Sequence, residues 1–128
     1  MNVERQLERA AQELDTARGT LANNPEAACS RAYYAMFYAA RAALIRAGQS
    51  ERAAGKSHSG MIAAFGEHLV VPGSIAPEHG RAFSHAEQRR LMADHVEESI
   101  PTEIVAEVIE RAEAFVAAMR NWMSAQAH

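Results

Sequence analysis

Residues 30–48, SRAYYAMFYAARAALIRAG, are apolar on nearly every side of a helix. A helix of that kind has almost no face of its own to offer water, so it must be enclosed in a bundle or shared across a dimer contact. The flanking residues set its limits. Asn24 is a good N-cap, Pro25 fits the first helical position and Glu26 suits the first turn, so the helix starts there. It runs to about Ala47, where Gly48 can close it.

The rest of the chain supplies partners for this helix. Val3, Leu7, Ala10, Leu14, Ala17 and Leu21 recur at the three-four spacing of a narrow apolar seam, which predicts a helix from about Val3 to Ala22. Gln49 to Ser57 reads as a small polar loop. His58 to about Leu69 reads as a short helix with Met61, Ile62, Phe65 and Leu69 on one face, followed by a turn at Val71-Pro72-Gly73-Ser74. Pro77 and Glu78 open a fourth helix that runs to about Glu98, and Ser99-Ile100-Pro101-Thr102 breaks the chain again. In the last helix Ile104, Val105, Val108, Ile109, Ala112, Phe115, Val116, Met119, Trp122 and Met123 form one wide core stripe. Alanine, leucine, glutamate and arginine dominate and valine, isoleucine and threonine are sparse, so the expected fold is all-α. At 128 residues the chain suits one domain, 1–128, with one helical core.

Several function classes lose support at this level. Cys29 is the one cysteine, so there is neither an internal disulfide nor a Cys-x-x-Cys site. The first residues, MNVERQLERA, are charged and do not form a signal peptide. No run of roughly 18 apolar residues would span a membrane, and the expected location is the reducing cytoplasm. A formal net charge of −3 argues against a broad, non-specific coat for nucleic acid. Between Arg31 and Lys56, however, five basic residues (Arg31, Arg41, Arg46, Arg52, Lys56) face the one acid Glu51, a local excess of +4. That excess fits either a solvated helix face, the commoner case, or an RNA-sized basic patch. A metal centre finds little support: His95-x-x-Glu98 is a single pair, whereas di-metal helix bundles need two Glu-x-x-His motifs and two further glutamates. No glycine-rich phosphate loop or nucleophile motif is present, and no cofactor is expected.

The fourth helix departs from the pattern. At about 100° per residue, Ala86, Arg90 and Asp94 fall on the side of Phe83, while Leu91 and Met92 point elsewhere. Charges thus share a face with the residue that should anchor the helix, and such failures of pattern mark functional or strained places. Asp94 lies one turn after Arg90, at the spacing of an ion pair that would hold the guanidinium. His95 follows Arg90 by five residues, about 140° round the helix. Arginine is suited to phosphate because its planar, always-charged fork binds two oxygens at once. Histidine titrates near neutrality and can take or give a proton. Together they suit metal-free cleavage of RNA, in which a 2′-hydroxyl attacks the adjacent phosphorus. Alone, Arg-x4-His is a weak motif.

Its company is more specific. Ser30-Arg31-Ala32-Tyr33-Tyr34-Ala35-Met36-Phe37, followed by an alanine-rich helix, resembles the signature of the HEPN superfamily. Lys56-Ser57-His58-Ser59-Gly60 with Phe65 resembles that family's second landmark, and Arg90 to His95 its Arg-x4-6-His motif. Ala112-Glu113-Ala114-Phe115-Val116 resembles its closing helix. The resemblance spans nearly the whole chain in order. It implies an up-and-down bundle of four or five helices that forms a homodimer. Many members are metal-independent endoribonucleases whose arginine and histidine meet at a cleft between protomers. Many are toxins silenced by a nucleotidyltransferase antitoxin, and others are non-catalytic modules that bind a protein partner or nucleotide. Carried over by position, Arg90 and His95 would be the catalytic pair and Asp94 its supporting polar residue. In the small stand-alone branch the last motif position is often tyrosine. Histidine here favours nuclease chemistry over control by modification of that tyrosine.

Other side chains are candidates for RNA contact. Tyr33, Tyr34 and Tyr38 could stack on bases, although such clusters are more often core with a bonded hydroxyl. Arg31 could steer phosphate or pair with a glutamate. Lys56, His58 and Arg89 complete the candidate set, with His58 also placed to cap or start its helix. His79 and His85 are expected to face solvent. The reading that combines these features is a toxin-like endoribonuclease. Its rival is a binding module using the same groove.

Overall fold

A computed structural model describes residues 2–55, 57–95 and 99–126, without the side chain of His95. Among the described residues there are six α-helices and no strand: α1 (Val3–Thr20), α2 (Pro25–Arg46), α3 (Ser50–Ala53), α4 (His58–Phe65), α5 (Pro77–His95) and α6 (Thr102–Gln126). The sequence predicts five, and the extra one is α3, a single turn within the stretch that reads as a loop. Its last carbonyl, on Ala53, accepts a hydrogen bond from Arg41 Nε at 3.0 Å, and Ala53 itself is buried. A tertiary contact thus fixes a turn too short to form by itself.

α2 runs through the middle and touches each of the other five helices. Its ends are closed as its sequence requires. Asn24 Oδ1 accepts from the Ala27 N–H at 3.1 Å. At the far end the N–H groups of Gly48 and Gln49 bond back to Ile45 and Leu44, with Gly48 at a left-handed φ of 83°. α1 lies along one side of α2, burying Ala10, Leu14 and Ala17, and ends at Thr20, slightly earlier than its seam suggests. α6 covers another side with the stripe from Val105 to Met123.

The segment after α4 also differs from expectation. The helix does not run on as a plain α-helix to Leu69 but widens into a π-helical turn over Gly66–Val70, closed by Val71 N–H to Gly66 O at 2.9 Å. Leu69 stays fully buried. Gly80, near the start of α5, packs against this turn, where a β-carbon would come within 3.2 Å of Val70. α5 then carries Phe83 into the core beside Phe65 and Phe115, with ring centroids 5.1–5.7 Å apart. Residues 96–98, the expected end of this helix, lie outside the described residues, as does Lys56. No helix among the described residues is long and apolar enough to cross a membrane.

Cys29 sits fully buried on α2. Burial pushes its thiol up to about 11, with the nearby charges of Arg89 and Asp94 acting in opposite directions. A buried, protonated thiol is a poor nucleophile. Iodoacetamide at neutral pH is therefore expected to leave Cys29 unmodified in the folded protein and to label it readily in denaturant. Equal labelling rates under both conditions, read by mass spectrometry, would contradict this placement.

Candidate active site

The side of α5 that breaks the apolar pattern faces the tyrosines of α2. Arg90 is held there by two carboxylates. Its Nε and Nη2 donate to the two oxygens of Glu87 at 3.1 and 2.9 Å, and its Nη1 donates to Asp94 at 3.0 Å. The Arg90 side chain is 12% exposed and that of Glu87 14%, so this pair is largely withdrawn from water. Its hydrogen bond to Glu87 raises the arginine's pKa further against the opposing effect of burial. The guanidinium also lies over two rings, 5.2 Å from the centroid of Tyr33 and 5.9 Å from that of Tyr34. Of the five N–H groups on a guanidinium, three are committed, which leaves two for an incoming anion.

Tyr33 forms the floor. It is fully buried, stacked on Phe83 with centroids 5.8 Å apart. Its hydroxyl pairs with His58 Nδ1 at 2.7 Å. Burial and the nearby charge of Glu87 push the phenol well above its usual value, so it stays protonated. His58 is the first residue of α4. The cap of that helix is Ser57, whose hydroxyl accepts from the Gly60 N–H at 3.1 Å. The imidazole packs among Tyr33, Tyr34 and Phe37 at 5.4, 5.7 and 5.2 Å. Three helices thus bring Glu87, Arg90, Tyr33 and His58 together.

The other candidates divide. Asp94 pairs with Arg90 as its spacing predicts. His95 ends α5, with its side chain outside the described residues. Tyr33 cannot stack on a base, because neither face of its buried ring reaches solvent; its place is core with a bonded hydroxyl. Tyr34 is half-buried beside it. Arg31 takes the glutamate alternative, bonding Glu13 at 2.9 Å and lying over Tyr34 at 5.1 Å. Tyr38 lies under Arg9 and Arg41. Arg89 lines a groove with Met92 and Ile104. His85 faces solvent, whereas His79 is half-buried, its ring edge 6.2 Å from Phe115. Among the described residues no three His, Cys, Asp or Glu side chains gather as metal ligands would.

One member of the site, Glu87, and one contact escaped sequence reasoning. Glu87 stands three residues before Arg90, which is ion-pair spacing, and that signal was open to reading. The bond between His58 and Tyr33 joins residues 25 apart in the chain and has no local signature.

The chain is similar to known proteins along most of its length. The HEPN domain family model matches residues 3–122. A UPF0332 protein of Gloeobacter violaceus is 42% identical over 91 residues, covering 70% of this chain and 68% of that protein. A UPF0332 protein of Thermotoga maritima is 33% identical over 115 residues, covering 88% and 84%. A protein of Methanocaldococcus jannaschii named "Putative toxin MJ0605" is 38% identical over 90 residues, covering 70% and 63%.

Proposed function

Because the chain belongs to the HEPN domain family, we propose that it is a metal-independent endoribonuclease acting as the toxin of a pair whose antitoxin is a nucleotidyltransferase. The observation that carries this reading is the state of Arg90: a permanently charged fork, locked in one orientation by Glu87 and Asp94 and still holding free N–H groups. Such a group needs no reorganisation when negative charge builds on a phosphoryl oxygen. His95 removes the proton from a 2′-hydroxyl, and the oxygen attacks the adjacent phosphorus. Arg90 stabilises the crowded phosphoryl oxygens, and the strand leaves as a 5′-hydroxyl and a 2′,3′-cyclic phosphate. Two protomers face each other so that their motifs share a cleft. Tyr34, half-buried next to Arg90, offers its ring to a base. The name of the archaeal relative supports the toxin role.

The test is cleavage of an end-labelled RNA in excess EDTA, with His95→Ala and an all-deoxy strand in parallel. Cleavage by the wild type alone, sparing the deoxy strand and leaving a cyclic phosphate, is the expected result. Equal cleavage by wild type and His95→Ala would remove His95 from the mechanism. One feature favours the rival binding module: the carboxylates already occupy most of the Arg90 fork. A wild type that cuts nothing but captures a partner would decide for it.

A further inference from the structure

Cleavage through a 2′-hydroxyl requires two proton transfers, one from the nucleophile and one to the departing 5′-oxygen. Each protomer's motif on α5 offers one histidine, so a second proton-transfer group within the same protomer must come from outside that motif. Resting on the nuclease reading above, we propose that His58 is the general acid, delivering a proton from Nε2 to the 5′-oxygen within the same protomer as Arg90.

The geometry supports this in three ways. First, His58 is oriented as a catalytic imidazole needs to be. Its Nδ1 is fixed on the Tyr33 hydroxyl at 2.7 Å, and Tyr33 is itself fully buried. Fixing one ring nitrogen decides what the other can do. Second, Nε2 has no hydrogen-bond partner among the described residues, and the half-buried imidazole keeps part of its surface in solvent. Third, His58 and Arg90 share their neighbours. Tyr33 and Tyr34 lie 5.4 and 5.7 Å from the imidazole, and the same two rings lie 5.2 and 5.9 Å from the guanidinium. The other groups in the cluster are unsuited to the task. Glu87 and Asp94 are engaged by Arg90, Arg90 does not give up a proton, and Tyr33 is sealed in the core.

The step balances. The 2′-hydroxyl proton passes to His95, the 2′-oxygen bonds to phosphorus, the bond from phosphorus to the 5′-oxygen breaks, and that oxygen takes the Nε2 proton of the His58 imidazolium. Exchange of the two protons with water restores both residues, and nothing is oxidised or reduced.

The test uses a strand in which sulfur replaces the bridging 5′-oxygen at one linkage, because a thiolate leaves without being protonated. His58→Asn keeps a polar atom where Nδ1 meets Tyr33 and removes the acid, and His58→Gln is made alongside it. Both variants are expected to cut ordinary RNA about a hundredfold or more slowly than the wild type and to cut the sulfur-bridged strand at about the wild-type rate. Loss on both strands alike would mark His58 as structural and overturn its role as acid. Full activity on both strands would overturn it as well, while leaving His95 and Arg90 in place. If sulfur instead rescues His95→Ala and not the His58 variants, His95 is the acid and the assignment falls. A wild type that cuts neither strand refutes the nuclease reading and this inference with it.

Discussion

Replacing Arg90 by alanine is expected to slow RNA cleavage by about a hundredfold to a thousandfold, the loss typical of removing a preorganised charge from a transition state. It is also expected to cost about 2 kcal/mol of stability, because Glu87 would keep its charge in a largely buried position with both oxygens stripped of their partner. The two effects separate by variant. Arg90→Lys keeps the charge but has no planar fork, so it cannot bond both oxygens of Glu87 and Asp94 together. Much of the stability should return and little of the cleavage. Adding Glu87→Gln to Arg90→Ala removes the orphaned charge, so the double variant should melt above Arg90→Ala, a non-additive result that only coupled residues give. It should cut RNA no better. Full cleavage by Arg90→Lys would sink the bidentate clamp. A melting temperature for Arg90→Ala equal to that of the wild type would show that Glu87 finds water without difficulty.

How far the sequence speaks for this site depends on the distance over which its residues interact. The ends of α2 are local chemistry, and Asn24 and Gly48 announce them. Its central position follows from all-round apolarity, and the α5 ion pair of Arg90 with Asp94 follows from helical spacing. Glu87 obeys the same spacing and is legible as a partner, but only the packed tyrosines show that this carboxylate, and not Asp94, is the buried one. α3 and the π-helical turn have no period of their own, and contacts from Arg41 and the position of Leu69 decide them. The pairing of His58 with Tyr33 is a purely tertiary event between α4 and α2. The tyrosine-rich stretch was legible as important, but a sequence does not tell a base-stacking ring from a buried one. Tyr33 is buried and its neighbour Tyr34 is not, because one step of a helix turns the side chain by about 100° from the core to its margin.

Phe83→Ala tests how the core supports the site. Phe83 is fully buried and packs on Phe65, Phe115 and Tyr33, the last in a stacked arrangement. Truncating such a ring leaves a cavity and is expected to cost about 3–5 kcal/mol, lowering the urea midpoint at an unchanged slope. Phe115→Ala is the matched control. Phe115 is equally buried and meets Phe65 and Phe83, but has no ring contact with Tyr33. The two variants should therefore lose similar stability. At a temperature where both are fully folded, Phe83→Ala should also lose cleavage, because the floor under Arg90 and the anchor of His58 can then tilt into the cavity, while Phe115→Ala keeps its rate. Equal rates for the two would mean that Tyr33 is held by α2 alone. An equal loss in both would mean that the site feels the whole core and not the Tyr33–Phe83 stack.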